Sequence, residues 1–83
     1  MIEVNEAFAA QVLGCCDELG IDEERVCVEG GALALGHPWG ASGAVLAVRL
    51  FSQMVRSDGP ELGVATIAVG GGQGVALLVQ RVG

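Results

Sequence analysis

An α/β fold running strand, helix, strand, helix, strand, strand is predicted by three features of this 83-residue chain. Segments with apolar residues at helical spacing alternate with short β-prone runs. Two such runs stand back to back near the C-terminal end across a glycine-rich loop, and one helix is apolar almost all round. That order gives a mostly parallel sheet closed by a terminal antiparallel hairpin.

The elements follow in turn. Ile2-Glu3-Val4 alternates like the end of a strand, and Asn5 is placed to cap a helix whose apolar positions Phe8, Val12, Cys15 or Cys16, and Leu19 recur at helical spacing. Gly20 ends that helix, because glycine adopts the left-handed backbone that closes helices at little cost. The acidic stretch 17–24 reads as a solvated helix end and surface connection. Val26-Cys27-Val28 is β-prone, and with Ala32-Leu33-Ala34-Leu35 beyond Gly30-Gly31 it reads as a buried strand kinked at the glycines. Pro38 disfavours helical angles at His37, which places the imidazole in an extended loop ahead of the next helix. Residues 41–55 form that helix, with Arg49, Ser52, Gln53 and Arg56 as a single narrow polar stripe. Ser57-Asp58-Gly59-Pro60 is turn chemistry. Leu62 to Val69 and Val75 to Val82 are the last two strands, joined by Gly70-Gly71-Gly72-Gln73-Gly74.

The totals constrain what these elements can do. A domain of this length buries only about 60% of the surface its unfolded chain exposes. Yet 52% of the residues are hydrophobic and 17% charged, so the chain carries more apolar surface than it can enclose alone. The all-round apolar helix points the same way, to packing against further protein. Three cysteines, Cys15, Cys16 and Cys27, form no paired framework, and no signal segment is evident, so a reducing, cytoplasmic setting is expected. The most apolar run is interrupted by Arg49, too short for the roughly 20 apolar residues of a membrane-spanning helix. The net charge of −6 is concentrated in residues 1–30, where eight acids face Arg25. Four scattered arginines do not build a nucleic-acid surface.

Several residues invite a chemical reading. His37 is the only histidine, and a lone histidine is more often structural than catalytic. Its place in a Gly-His-Pro-Trp-Gly loop ahead of a helix N-terminus favours a neutral ring that can act as a base. The Gly70–Gly74 loop leads into a strand and not a helix, so it is not a phosphate loop. Cys15 and Cys16 fall in the last turns of a helix, where the dipole disfavours thiolate, and Cys27 sits in a β-prone run, so packing is the expected role for all three. One histidine with these cysteine spacings matches no zinc pattern.

Three segments stand out together: Asn5-Glu6-Ala7-Phe8-Ala9, the block from Gly30-Gly31 through Gly36-His37-Pro38-Trp39-Gly40 to Ser42-Gly43, and Gly70-Gly71-Gly72-Gln73-Gly74. In this order and at this spacing they resemble the C-terminal signature blocks of the thiolase family, across essentially the whole chain. The resemblance implies that residues 1–83 are part of a thiolase C-terminal domain, which packs against a similarly folded N-terminal domain bearing the nucleophilic cysteine. It further implies that His37 activates that cysteine and helps to polarise a thioester carbonyl. Asn5 would hold a water completing that oxyanion site, and the backbone N–H of Gly70 would contribute to a second one. The activity implied is acyl transfer, either thiolysis of a 3-ketoacyl-CoA or the reverse Claisen condensation. It needs no metal or prosthetic group, and CoA enters as part of the substrate. The partners implied are an acyl-CoA, the N-terminal half or another protein chain, and further copies in a homo-oligomer.

Three positions depart from the family pattern. Ala68 stands where many thiolases carry a second cysteine that transfers protons, and alanine cannot do so. Cys27 and Glu29 stand where asparagines are common. Glu29 is either a solvent-facing carboxylate or a replacement base. Ala68 also leaves room for a different reading, a non-catalytic thiolase-like module that self-associates through its apolar helix.

Overall fold

A computed structural model of the chain describes residues 1–56 and 58–82. Its regular elements are β1 (Ile2–Val4), α1 (Ala9–Leu19), α2 (Ala32–Leu35), α3 (Ser42–Met54), β2 (Leu62–Val69) and β3 (Gln73–Gln80). Single 3-10 turns lie at Glu23–Arg25 and Trp39–Ala41. The sheet has the order β1-β2-β3, with β1 parallel to β2 and β3 antiparallel to β2. The α/β class and the terminal hairpin therefore stand.

Side-chain alternation along β1 sets the layers. Ile2 and Val4 pack with Val12, Cys16 and Val26 beneath α1, whereas Met1 faces Leu46, Leu50, Met54 and Ala65 beneath α3. α3 thus packs on one face of the sheet and α1 against the other face of β1 alone, while Leu77 and Leu78 of β3 stay exposed; the alternation of side chains with a period of two sets which residues meet which helix. Leu50 is the most enclosed apolar side chain, 2% exposed. Gly63 of β2 lets α3 approach closely, since a Cβ there would lie 2.5 Å from Met54 Sδ and 2.9 Å from Leu50 Cδ1. The C-terminal end of α3 therefore sits over the start of β2, and its N-terminal end points to the carboxyl ends of β1 and β2.

The predicted second strand is not formed. Val26 makes only an isolated parallel bridge to Ile2, and Ala32–Leu35 is a four-residue helix with Leu33 and Leu35 exposed. Cys27 (φ 48°) and Gly30 (φ 88°) turn the backbone out of the extended region before the pairing can continue. A four-residue apolar run has no periodicity that separates strand from helix. The expected cap at Asn5 is also replaced: α1 begins three residues later, after Phe8, with no side-chain cap. The N–H of Asn5 instead donates to the Thr66 carbonyl at 2.8 Å, extending the β1–β2 ladder by one step.

The final hairpin begins earlier than predicted. Val69 pairs with Gln73, so the connection is Gly70-Gly71-Gly72. Gly71 and Gly72 take φ of 86° and 73°, angles that let the chain reverse in three residues. In the turn expected at 57–60, the N–H of Gly59 donates to the Arg56 carbonyl at 2.8 Å; Ser57 lies outside the described residues. The acidic stretch 17–24 is exposed apart from half-buried Ile21, in accord with a solvated connection.

The polar stripe of α3 does not face water throughout. Gln53 is buried and Arg49 half-buried, both turned toward Glu3, which is fully enclosed (0% exposed). Gln53 Nε2 donates to Glu3 Oε1 at 2.7 Å, and Arg49 Nε lies 3.9 Å from Glu3 Oε2. A buried carboxylate demands such partners, so the stripe is drawn inward. Val48, Phe51 and Val55 are left on the outside, Phe51 67% exposed.

Candidate active site

The carboxyl ends of parallel strands are where open α/β sheets place their ligand sites, and the conspicuous residues of this chain gather there. Asn5 continues β1 and is buried. Its position puts it on the α3 face of the sheet, where it lines a small cleft of about 30 Å³ together with Glu3, Gly31, Pro38, Ser42 and Arg49. The Ser42 side chain is buried at the first turn of α3.

His37 stands outside the helices, between α2 and the 3-10 turn Trp39–Ala41. Its ring is exposed, and Nδ1 is hydrogen-bonded to Ser42 Oγ. With Nδ1 engaged, Nε2 is the ring nitrogen left to exchange a proton with a substrate or a nucleophile. Trp39, two residues on, has φ of 43° and is exposed, so the loop turns sharply before α3 starts.

The loop 29–36 that leads to His37 is tied down by polar contacts. Arg49 Nη2 donates to the carbonyls of Glu29 (2.9 Å) and Gly30 (2.6 Å). Glu6 Oε1 accepts from the Leu33 N–H at 3.2 Å, and Gly31 makes room for that carboxylate because a Cβ at residue 31 would collide with it.

Gly70 lies elsewhere in the arrangement. It opens the β2–β3 turn at the same carboxyl end of the sheet, but it does not line the Asn5 cleft. Its carbonyl accepts from Gln73 Nε2 at 3.0 Å, and a Cβ built there would meet nothing within 4 Å, so its surroundings are open. Ala68 pairs with Gly74 two residues before the turn and offers no titratable group. Asn5 and Ser42 line one cleft, His37 is bonded to Ser42 from outside that lining, and Gly70 stands apart on the neighbouring strand end.

The remaining candidates resolve on electrostatic grounds. Glu29 is exposed and forms a two-point ion pair with Arg56, at 2.5 and 3.4 Å. The guanidinium holds its carboxyl below the usual value of 4.5, the opposite of what a replacement base would need. Cys27 is buried, and its Sγ donates to the Val4 carbonyl at 3.1 Å. Burial pushes that thiol up to about 11. Burial and the neighbouring Cys15, Glu23, Asp17 and Asp22 also raise Cys16. Neither is a ready nucleophile, and no cysteine lines the cleft. Among the described residues no cluster of three His, Cys, Asp or Glu side chains could hold a metal ion.

Ser42, Glu6 and Arg49 were not singled out by sequence reasoning. Serine five residues beyond the histidine, on the first turn of a helix, was the available signal for Ser42. For Glu6 it was the paired glycines, which imply a close neighbour. Nothing in the sequence announced Arg49, which read as one member of a polar stripe.

Fold and site together define an α/β domain that offers a histidine and an asparagine at the carboxyl end of its strands and encloses the thiols of Cys16 and Cys27. Residues 1–81 match the family model described as "Thiolase, C-terminal domain", and the chain belongs to the thiolase family. It is 54% identical over 81 residues to an acetyl-CoA acetyltransferase of Escherichia coli, a match covering 98% of this chain and 20% of that protein. The crystal structure of the Bacillus anthracis acetyl-CoA acetyltransferase superimposes with a TM-score of 0.89 at 46% identity, covering 96% of this chain and 20% of that one. A thiolase from Ascaris suum, crystallised in complex with coenzyme A, gives a TM-score of 0.86 at 48% identity, over 99% of this chain and 21% of that one. The chain therefore spans about one fifth of the length of the relatives it matches. No helix among the described residues is long and apolar enough to cross a membrane.

Proposed function

We propose that residues 1–83 act as part of the C-terminal domain of a thiolase-type acyl-CoA acyltransferase, supplying its base and its carbonyl-polarising groups. The reaction is thiolysis of a 3-ketoacyl-CoA or the reverse condensation. The observation that carries the proposal is the pairing of His37 with Ser42 beside buried Asn5, at the carboxyl end of a parallel strand pair. His37 Nε2 takes the proton of a cysteine thiol carried by another domain or chain. The thiolate attacks the keto carbonyl and the bond from that carbon to the α-carbon breaks, leaving an acyl-cysteine and the enolate of the departing acyl-CoA, which is protonated by a group outside this chain because Ala68 offers no proton; a CoA thiol, deprotonated by that same group, then takes the acyl group and frees the cysteine thiolate. Asn5 holds a water that, with His37, donates to the developing oxyanion, and the Gly70 N–H serves a second such site with the nucleophile's own N–H. CoA thioesters are the substrates, and no metal or prosthetic group takes part.

Partner protein is part of this reading. The exposed face Val48, Phe51 and Val55 of α3 supports packing against the nucleophile-bearing half, within a homo-oligomer. The three free cysteines support a reducing, cytoplasmic setting. Ala68 and that same apolar face favour one alternative, a self-associating module without catalysis.

Combining the chain with a nucleophile-bearing thiolase half and following CoA-dependent cleavage of acetoacetyl-CoA separates the two. The acyltransferase reading expects turnover that His37→Ala abolishes. An associated, folded complex whose output ignores that substitution would leave only the interaction module.

A further inference from the structure

The loop that delivers His37 has little apolar anchorage: Val28, Leu33 and Leu35 along it are all more than half exposed. Hydrophobic burial does not fix its position, so its polar ties must. At the surface Arg56 pairs with the Glu29 carboxylate, and beneath it a second tie comes from α3. Arg49 Nη2 bonds two successive carbonyls, Glu29 at 2.9 Å and Gly30 at 2.6 Å. Its Nε lies 3.9 Å from Oε2 of the fully buried Glu3 on β1, an ion-pair contact with no hydrogen bond between the two atoms. Gln53, one turn on, completes the anchor by donating both to Glu3 Oε1 (2.7 Å) and to the Arg49 carbonyl (3.0 Å). A planar guanidinium holds its spread donors in a fixed fork that can reach two such surfaces, whereas an ammonium is a compact point charge with rotatable donors.

We infer that Arg49, seated on buried Glu3, is a positioning residue that fixes the His37 loop relative to Asn5 and so sets the distance across the reaction centre. This rests on the acyltransferase reading above. Glu6 holds the middle of the same loop through the Leu33 N–H, and Ser42 holds the His37 ring itself. Arg49 is the one tie that runs from the loop to both α3 and β1. A displacement of the order of 1 Å at a reacting group is enough to cost about a hundredfold in rate.

The test compares Arg49→Lys with the double variant Glu3→Gln/Arg49→Met, which removes the buried charge together with its partner and so leaves no orphaned ion. Two readouts are taken: the ring resonances of His37 with amide exchange of Leu33, Ala34 and Leu35 in the full chain, and kcat and KM of the complex with the nucleophile-bearing half. The double variant is expected to keep its melting transition, to shift the His37 resonances and to exchange those amides about tenfold faster. Its kcat should fall on the order of 10- to 100-fold with KM within about a factor of three, and Arg49→Lys should fall between it and the parent. Unchanged His37 resonances and kcat in a folded double variant would overturn the inference; if the double variant does not fold, the same readouts on Arg49→Lys decide. Loss of activity in His37→Ala alongside an inert Arg49 would sink the inference alone. A dispensable His37 would sink the acyltransferase reading, and the resonance and exchange data would still decide whether Arg49 holds the loop.

Discussion

His37 Nδ1 and Ser42 Oγ are hydrogen-bonded across a five-residue step that encloses the 3-10 turn Trp39–Ala41. The hydroxyl is buried while the ring is exposed, so the serine is the fixed partner and the histidine the one being held. Ser42→Ala should free the ring and reduce turnover of the reconstituted complex by about tenfold, with a stability loss of about 1 kcal/mol. Steady-state kinetics and thermal melts of the variant check both figures.

The Glu29–Arg56 pair should make stability depend on pH in a defined direction. Arg56 holds the Glu29 carboxyl below its ordinary 4.5, so the pair stabilises the fold above that value and the contribution is lost as pH falls through the lowered one. Glu29→Gln should therefore melt lower than the parent at neutral pH, and the gap should close in acid. Both side chains are largely exposed, at 51% and 42%, so the gap should be small and should shrink in high salt.

Thiol labelling should sort the three cysteines. Cys27 is pushed up to about 11 by burial, and Cys16 is raised by burial and its acidic surroundings. With iodoacetamide at pH 8, half-buried Cys15 should be modified first, and Cys16 and Cys27 only after denaturant is added. Peptide mass mapping over time reads the order, and early loss of the Cys27 thiol would contradict its enclosure.

Gly63 should not tolerate a methyl group. A Cβ there would press on Met54 Sδ and Leu50 Cδ1, both enclosed between α3 and β2. Gly63→Ala should destabilise the chain by about 1–3 kcal/mol through overpacking. Companion changes at Met54 that free volume should recover part of the loss in urea unfolding.

Much of the architecture was legible because its signals are local. Leu62–Val69 is a strand over the predicted residues, and α3 runs from Ser42 to Met54 against an expected 41–55. Helical periodicity and β-branched runs bounded by glycine survive whatever surrounds them. Ala32–Leu35 is a helix where a strand is expected, because four apolar residues carry no period, and the left-handed backbone at Cys27 and Gly30 depends on contacts that local sequence does not reveal. At Asn5 the backbone continues the β1–β2 pairing, its N–H bonded to a partner 61 positions away, and that long-range pairing, which no local pattern reveals, carries the chain past the residue where the helix is expected to start.

The sequence by itself determined the α/β order, the closing hairpin and the three blocks that carry the family resemblance, because each depends on residue types at short, fixed spacings. Only the tertiary structure decided that Ser42 holds His37, that Asn5 and Ser42 line one cleft, and that Glu3 is buried beside Arg49 and not one more surface acid. The physical reason is alternation. Met1 and Glu3 point to α3 while Ile2 and Val4 point to α1, so which acid is buried follows from which helix covers which face, and that is settled only when the sheet is assembled.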